Sequence, residues 1–287
     1  MIELPQATVI ARQITEELRG KEIIAALRGQ SPHKFMFKGK YSDAEFTQIV
    51  RGKTIGKARP HGMAILTDLE SAFILSLGCG GERILYHTSQ KTVPKKHHLK
   101  LDFQDGTYLT VTVSGWGEVR LVEQSALAKH PHIKLGAISP LSDAFTFEYF
   151  NGLFDTLPPD KRTIKTSAKY FIISEPAIYG VGNGCLQDLL YQARIHPKRQ
   201  MLDLSQEERR ALYDSIRHTL AEMVERGGRN SEYDLYNQPG GYQQILHSKA
   251  VGQPCPECEG TIQKATYLGG SIYFCSSCQL ECGKNGL

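Results

Sequence analysis

Between Ala7 and Leu18 the apolar positions Val9, Ile10, Ile14 and Leu18 recur at helical spacing, and Gly20 supplies a stop. This predicts an amphipathic helix near the N-terminus. From residue 20 to about 123 the pattern changes to short runs rich in β-branched and aromatic residues: Ala64–Leu66, Phe73–Leu77, Leu99–Phe103 and Tyr108–Val113. Gly and Asp-Gly turns separate them, and Gln104-Asp105-Gly106-Thr107 reads as a hairpin connection. A β-sandwich or barrel is expected there. From about residue 136 the pattern becomes helical, with boundaries at Ser139-Pro140 and Leu157-Pro158-Pro159 and aromatic helical spacing from Asp143 to Phe154. A long amphipathic helix is predicted from Leu204 to Arg226, capped by Ser205 with Glu208 three residues on and ended by Gly227-Gly228. The layout predicts an α+β multidomain chain: an N-terminal helix plus β-sandwich over 1–125, a helical domain over 126–248 and a small finger over 249–287.

The finger is the sharpest signal. Cys255-Pro-Glu-Cys258 and Cys275-Ser-Ser-Cys278 are Cys-x2-Cys knuckles separated by sixteen residues, a spacing that brings four thiolates onto one tetrahedral ion. A β-hairpin turning at Leu268-Gly269-Gly270-Ser271 should connect them. So small a unit cannot bury enough apolar surface to fold alone, so a single structural zinc ion (Zn2+) is expected to hold Cys255, Cys258, Cys275 and Cys278. Spacing alone leaves open whether the ion only staples a tail. Cys282 reads as a spare thiol.

Composition changes this picture little. The 287 residues are 40% hydrophobic and 22% charged, as in an ordinary globular protein, and suffice for two domains with an appendix. A net charge of +4 permits an anionic partner without demanding one, so a phosphate track must come from clusters such as Lys95-Lys96-His97-His98 or His196-Pro197-Lys198-Arg199. No run of about 18 apolar residues appears, and the acidic start Met1-Ile2-Glu3-Leu4-Pro5 lacks the order of a signal peptide. No membrane partner is expected. Seven cysteines, four at ligand spacing, fit a reducing compartment better than a disulfide framework.

Gly180-Val181-Gly182-Asn183, followed by Ala193-Arg194-Ile195-His196-Pro197, lies between helical segments. Glycines let backbone N–H groups approach a phosphate closely, and a helix N-terminus adds positive potential. With Glu3-Leu4-Pro5, Leu77-Gly78, Ser139-Pro140-Leu141-Ser142-Asp143 and the finger in order, the chain resembles the formamidopyrimidine-DNA glycosylase and endonuclease VIII family, as a divergent endonuclease VIII-like member. The turn resembles that family's helix-two-turn-helix. The resemblance implies a base excision repair glycosylase acting on duplex DNA with damaged bases or abasic sites, monomeric, in the cytoplasm with the nucleoid. It implies an N-terminal amine that attacks the sugar C1′ to form a Schiff base, with Glu3 as the neighbouring acid. It assigns Lys169, Gly182 and Asn183 to phosphates and places another family acid at Asp188. The bland alternatives are a solvated Lys169, an Asn183 that merely caps a helix, and a surface Asp188.

Several family positions differ. Ile2 stands where the family has proline, so the amine belongs to Met1, or to Ile2 if Met1 is removed, and lyase activity at abasic sites is expected to be weak or absent. Gln6 replaces a family glutamate, the hairpin lysine is missing near His61-Gly62-Met63, and Gly270 stands where a finger-tip arginine is usual. Cys79 and Ser114-Gly115-Trp116 replace the residues that fill the gap behind a flipped base. Trp116 is either the wedge or a core residue. A non-enzymatic protein that binds damaged DNA with the same scaffold is the alternative reading. An RNA-associated zinc module lacks a strand-borne aromatic stacking motif.

Overall fold

The computed structural model describes residues 1–29, 40–70, 72–158 and 164–281. The N-terminal helix α1 runs Leu4–Leu18, starting ahead of Ala7 because Pro5 lies in the first turn, where its missing N–H has no intrahelical partner to lose. Two four-stranded antiparallel sheets follow. One has the order β1 (Ile23–Arg28), β6 (Leu99–Phe103), β7 (Tyr108–Ser114), β5 (Gly81–His87); the other has β2 (Ile55–His61), β3 (Ala64–Leu69), β4 (Phe73–Gly78), β8 (Glu118–Glu123). The expected β6–β7 hairpin forms, with Phe103 N bonded to Thr107 O at 3.0 Å. Ile10, Ile14 and Leu18 of α1 share one core with Leu101, Leu109 and Val111 of the first sheet and Ile65, Leu75 and Val119 of the second. Burial is nearly continuous along β3 and β4, and because successive side chains point to opposite faces, both faces of these strands are covered.

Helix α2 (Asp43–Val50) is a feature that the sequence reading missed. Its signal is a capping box: Ser42 N donates to Glu45 Oε2 at 2.7 Å, and Glu45 N donates to Ser42 Oγ at 3.3 Å. Phe46 and Val50 then bury one face.

The chain divides into two compact units. One comprises 1–136 with 223–242, the other 137–222 with 243–287. In the second, helical order between Asp143 and Phe154 is shorter than the aromatic spacing predicts: α3 covers Phe147–Gly152, capped by Thr146, and a 3-10 turn follows over Leu153–Thr156. The aromatic positions serve packing instead. Phe145, Phe150, Phe154, Phe171 and Tyr213 stack in a chain of contacts with centroids 4.9 to 6.1 Å apart. Helices α4 (Ala168–Ile173) and α5 (Asn183–Gln192) flank the glycine turn, and α6 runs Gln206–Glu225. The α6 capping box is present, with Ser205 N to Glu208 Oε2 at 2.8 Å and Glu208 N to Ser205 Oγ at 3.2 Å. Gly227 and Gly228 end the helix at φ +75° and +103°, values that favour glycine. The finger hairpin pairs β9 (Ile262–Tyr267) with β10 (Gly270–Cys275). Among the described residues no helix is long and apolar enough to cross a membrane.

Candidate functional site

In the first unit the chain start meets residues from the segment that follows α6. The α-amino group of Met1 donates to Glu232 Oε1 at 2.8 Å. Arg229, 4% exposed, lies 3.3 Å from that carboxylate, 3.6 Å from Glu3 Oε1, and donates to Met1 O at 3.2 Å. A buried guanidinium needs such partners, because isolating its charge from water is costly. Glu3 is itself buried and caps α1 through its extended backbone, without a side-chain cap bond. The segment is fixed by Ile2, whose N donates to Gly80 O at 2.7 Å and whose side chain joins the core at 1% exposure. Of the two candidate amines, only that of Met1 belongs to an exposed residue.

Met1 and Glu232 line a cavity of about 470 Å³ together with Glu82, Arg83, Thr112 and Ser114. Burial pushes the Glu82 carboxyl up to about 7, against backbone N–H groups of Glu118 and Gly80 that favour its charged form. Arg83 stacks on the Tyr233 ring, 3.8 Å from its centroid, and bonds Asn237 at 3.2 Å. Gln6 donates to Tyr233 O at 2.6 Å, while its Oε1 is buried without a hydrogen-bond partner. Glu82, Arg229 and Glu232 were not anticipated from sequence. No local motif marks them, since they reach Met1 only through tertiary structure.

Trp116 is 67% exposed, which overturns the core-packing reading. It sits on the β7–β8 turn, where Gly115 has φ +59° and Gly117 N bonds Ser114 O at 3.1 Å. Gly80 packs so closely that any Cβ there would overlap the backbone of Trp116 and Gly117. Cys79 is half-buried beside this turn, with its thiol pushed up by burial.

In the second unit Lys169 is 1% exposed, so it is not a solvated surface lysine. Its Nζ donates to Tyr267 O at 2.7 Å, and burial lowers its pKa. Gly182 is the N-cap of α5, and Asn183 opens that helix. Asn183 Nδ2 donates to Ser271 O at 3.1 Å, while its Oδ1 is buried without a partner. Gln187, one turn further along α5, bonds Ser271 O at 3.3 Å and accepts from Tyr273 N at 2.9 Å. Lys169 and Asn183 thus converge on the hairpin turn. A Cβ on Gly270 would lie 3.2 Å from Lys169 Nζ, so the lysine crowds any side chain placed there. Asp188 is fully buried and accepts from Ile245 N at 3.0 Å and Leu246 N at 2.8 Å, which corrects the surface reading.

The four finger sulfurs lie within 4.8 Å of one another, with separations of 3.3, 3.5 and 3.8 Å for Cys258–Cys278, Cys258–Cys275 and Cys255–Cys278. A tetrahedron with metal–sulfur bonds of about 2.3 Å has edges near 3.8 Å, so the cluster fits a four-thiolate metal site. Gly260 N and Cys278 N donate to Cys258 and Cys275 sulfurs at 3.3 and 3.4 Å, as thiolate-directed amides do in metal knuckles. Tyr191 places its hydroxyl 3.0 Å from Cys255 Sγ, and burial together with that sulfur raises its pKa, so it stays a donor. Cys282 lies outside the described residues.

Comparison with known proteins is consistent along the chain. The formamidopyrimidine-DNA glycosylase N-terminal domain matches residues 1–114, and the formamidopyrimidine-DNA glycosylase H2TH domain matches residues 136–234. The formamidopyrimidine-DNA glycosylase of Shouchella clausii is 30% identical, over 97% of this chain and 99% of its own length. That of Chloroflexus aurantiacus is 27% identical over 98% of both. Among solved structures, Lactococcus lactis Fpg in complex with abasic-site DNA superimposes with a TM-score of 0.81 at 21% identity, covering 96% of this chain and 99% of that one. The same enzyme with DNA containing N7-benzyl-Fapy-dG also gives 0.81, at 22% identity. The chain belongs to the formamidopyrimidine-DNA glycosylase and endonuclease VIII family.

Proposed function

We propose that the protein is a base excision repair glycosylase that removes damaged bases from duplex DNA, with weak or absent strand cleavage. The observation that carries this reading is the Met1 α-amine, which lines a cavity and is bonded to a carboxylate at 2.8 Å. A neutral amine carries the lone pair that can add to C1′. Met1 is favoured over Ile2 as the nucleophile because the Ile2 nitrogen is engaged by Gly80 O and its side chain is locked in the core. Glu3 is the acid that moves protons at the sugar, held by Arg229. The shift of the nucleophile by one residue relative to the family is the reason to expect slow lyase chemistry, since a displacement of about 1 Å can cost ~100-fold.

Lys169, Gly182 and Asn183 are assigned to the phosphates, through the lysine ammonium, the backbone at the start of α5 and the asparagine amide. Trp116 is assigned as the wedge, because an exposed indole on a tight turn suits stacking into the gap behind an extruded base. Zinc is the ion proposed for the four thiolates, and it holds the hairpin that Lys169 and Asn183 touch. The protein is expected to act as a monomer.

Duplexes carrying single oxidised purines, oxidised pyrimidines or bulky adducts test the reading. Release of at least one base class is expected. Tight duplex binding without release of any of them favours the second reading, a non-enzymatic binder of damaged DNA, which the changes at Gln6, near His61-Gly62-Met63 and at Gly270 motivate.

A further inference from the structure

Three carboxylates surround the chain start, and their environments differ. Glu3 is 1% exposed and ion-paired with Arg229. Glu82, on β5, accepts backbone bonds from Gly80 and Glu118, at 3.1 and 2.9 Å. Glu232 bonds the Met1 amine directly at 2.8 Å, and its side chain keeps 17% exposure at the cavity wall. Arg229, three residues earlier, fixes that carboxylate at 3.3 Å and holds the Met1 carbonyl at 3.2 Å, so donor and acceptor are positioned by one guanidinium.

We propose that Glu232 is the proton acceptor of the Met1 α-amine, and hence a catalytic residue in the segment that follows α6. This rests on the glycosylase reading above. An ammonium has no lone pair and cannot add to carbon, so a proton must leave nitrogen before reaction, and near neutral pH a base within hydrogen-bond reach takes it fastest. Glu232 satisfies that geometry. On an abasic aldehyde the ammonium gives one proton to Glu232 and the freed nitrogen lone pair bonds to C1′, whose carbonyl electron pair moves onto oxygen. The two hydrogens left on nitrogen depart with that oxygen as water, leaving a neutral C1′=N imine. Glu232 releases its proton to solvent.

The charged and titratable groups facing the amine are Glu232, Arg229 and Glu3 from the chain segments at its own site, Glu82 and Arg83 from β5, and Tyr233 beneath Arg83. Removing Glu232 takes away the acceptor while leaving the others in place. At high pH, hydroxide and water perform the deprotonation without it.

The test is the rate of borohydride trapping on a preformed abasic-site duplex, from pH 6 to 10, for wild type, Glu232→Gln and Glu232→Ala, with duplex affinity measured in parallel to report folding. At neutral pH both variants should trap about 100-fold more slowly than wild type. The deficit should close as pH rises, and added formate should speed Glu232→Ala. A Glu232→Gln rate equal to wild type, or a deficit unchanged across pH and indifferent to formate, overturns the proposal while leaving the glycosylase reading intact. If wild type itself gives no adduct, the imine chemistry falls and Glu232 falls with it.

Discussion

Lys169 Nζ donates to the carbonyl oxygen of Tyr267 at 2.7 Å, tying α4 to the turn of the finger hairpin. The ammonium is buried against one backbone acceptor, which leaves it hydrogens to offer a phosphate. Lys169→Met is therefore expected to weaken duplex binding and to lower the slope of log affinity against log salt by about 1. Fluorescence anisotropy at several salt concentrations measures both. An unchanged slope removes Lys169 from the phosphate track.

Asn183 shares the hairpin contact through Ser271 O, and its Oδ1 is left without a partner. Asn183→Ala should cost about 1–3 kcal/mol of duplex affinity, the range for a charge-assisted bond. Titration calorimetry against the wild type decides, and equal affinity would confine Asn183 to a structural role.

Metal analysis is expected to find about one zinc per chain, and chelation should unravel the hairpin and reduce duplex binding, with recovery on adding zinc back. Tyr191→Phe deletes the hydroxyl that faces Cys255 Sγ. Loss of such a support commonly weakens metal affinity 10–100-fold, so this variant should release zinc to a competing chelator more readily.

His130 has a buried ring whose pKa falls from 6.5 to about 4, chiefly through desolvation, with nearby Glu118 opposing the shift. The unfolded chain therefore binds a proton that the native protein refuses. The stability this provides is complete above pH 6.5 and is lost as pH falls through about 4. His130→Asn should flatten the dependence of the urea midpoint on pH in that window. A variant curve parallel to that of the wild type would contradict it.

Much of the fold can be read from local signals. The capping box at Ser205 and Glu208, the stop at Gly227-Gly228 and the paired knuckles at Cys255 and Cys275 are each encoded within a few residues, and each forms as the pattern predicts. Helix α2 carried the same kind of signal at Ser42 and Glu45, but the β-rich surroundings masked it. Burial of polar residues was harder to read. Asp188 and Lys169 look like surface groups until Leu246 and Tyr267 fold against them. The carboxylate at Met1 was least accessible of all, because Glu232 arrives from 231 residues away and no periodicity connects them.

Gly80 links the chain start to the Trp116 turn, since Ile2 N bonds its carbonyl and its Cα side abuts Trp116 and Gly117. Gly80→Ala should displace that turn and reduce base release more than duplex affinity. Parallel measurement of single-turnover release and binding checks this, and equal losses in both would point to general unfolding.

Imine formation at the Met1 nitrogen is the central claim, and covalent trapping tests it most directly. Full-length protein is incubated with an abasic-site duplex and borohydride, digested, and the adduct located by mass spectrometry. The expected result is a single adduct on the N-terminal peptide with Met1 retained. An adduct on Ile2 after methionine removal, an adduct on an internal lysine, or no adduct at all would contradict it.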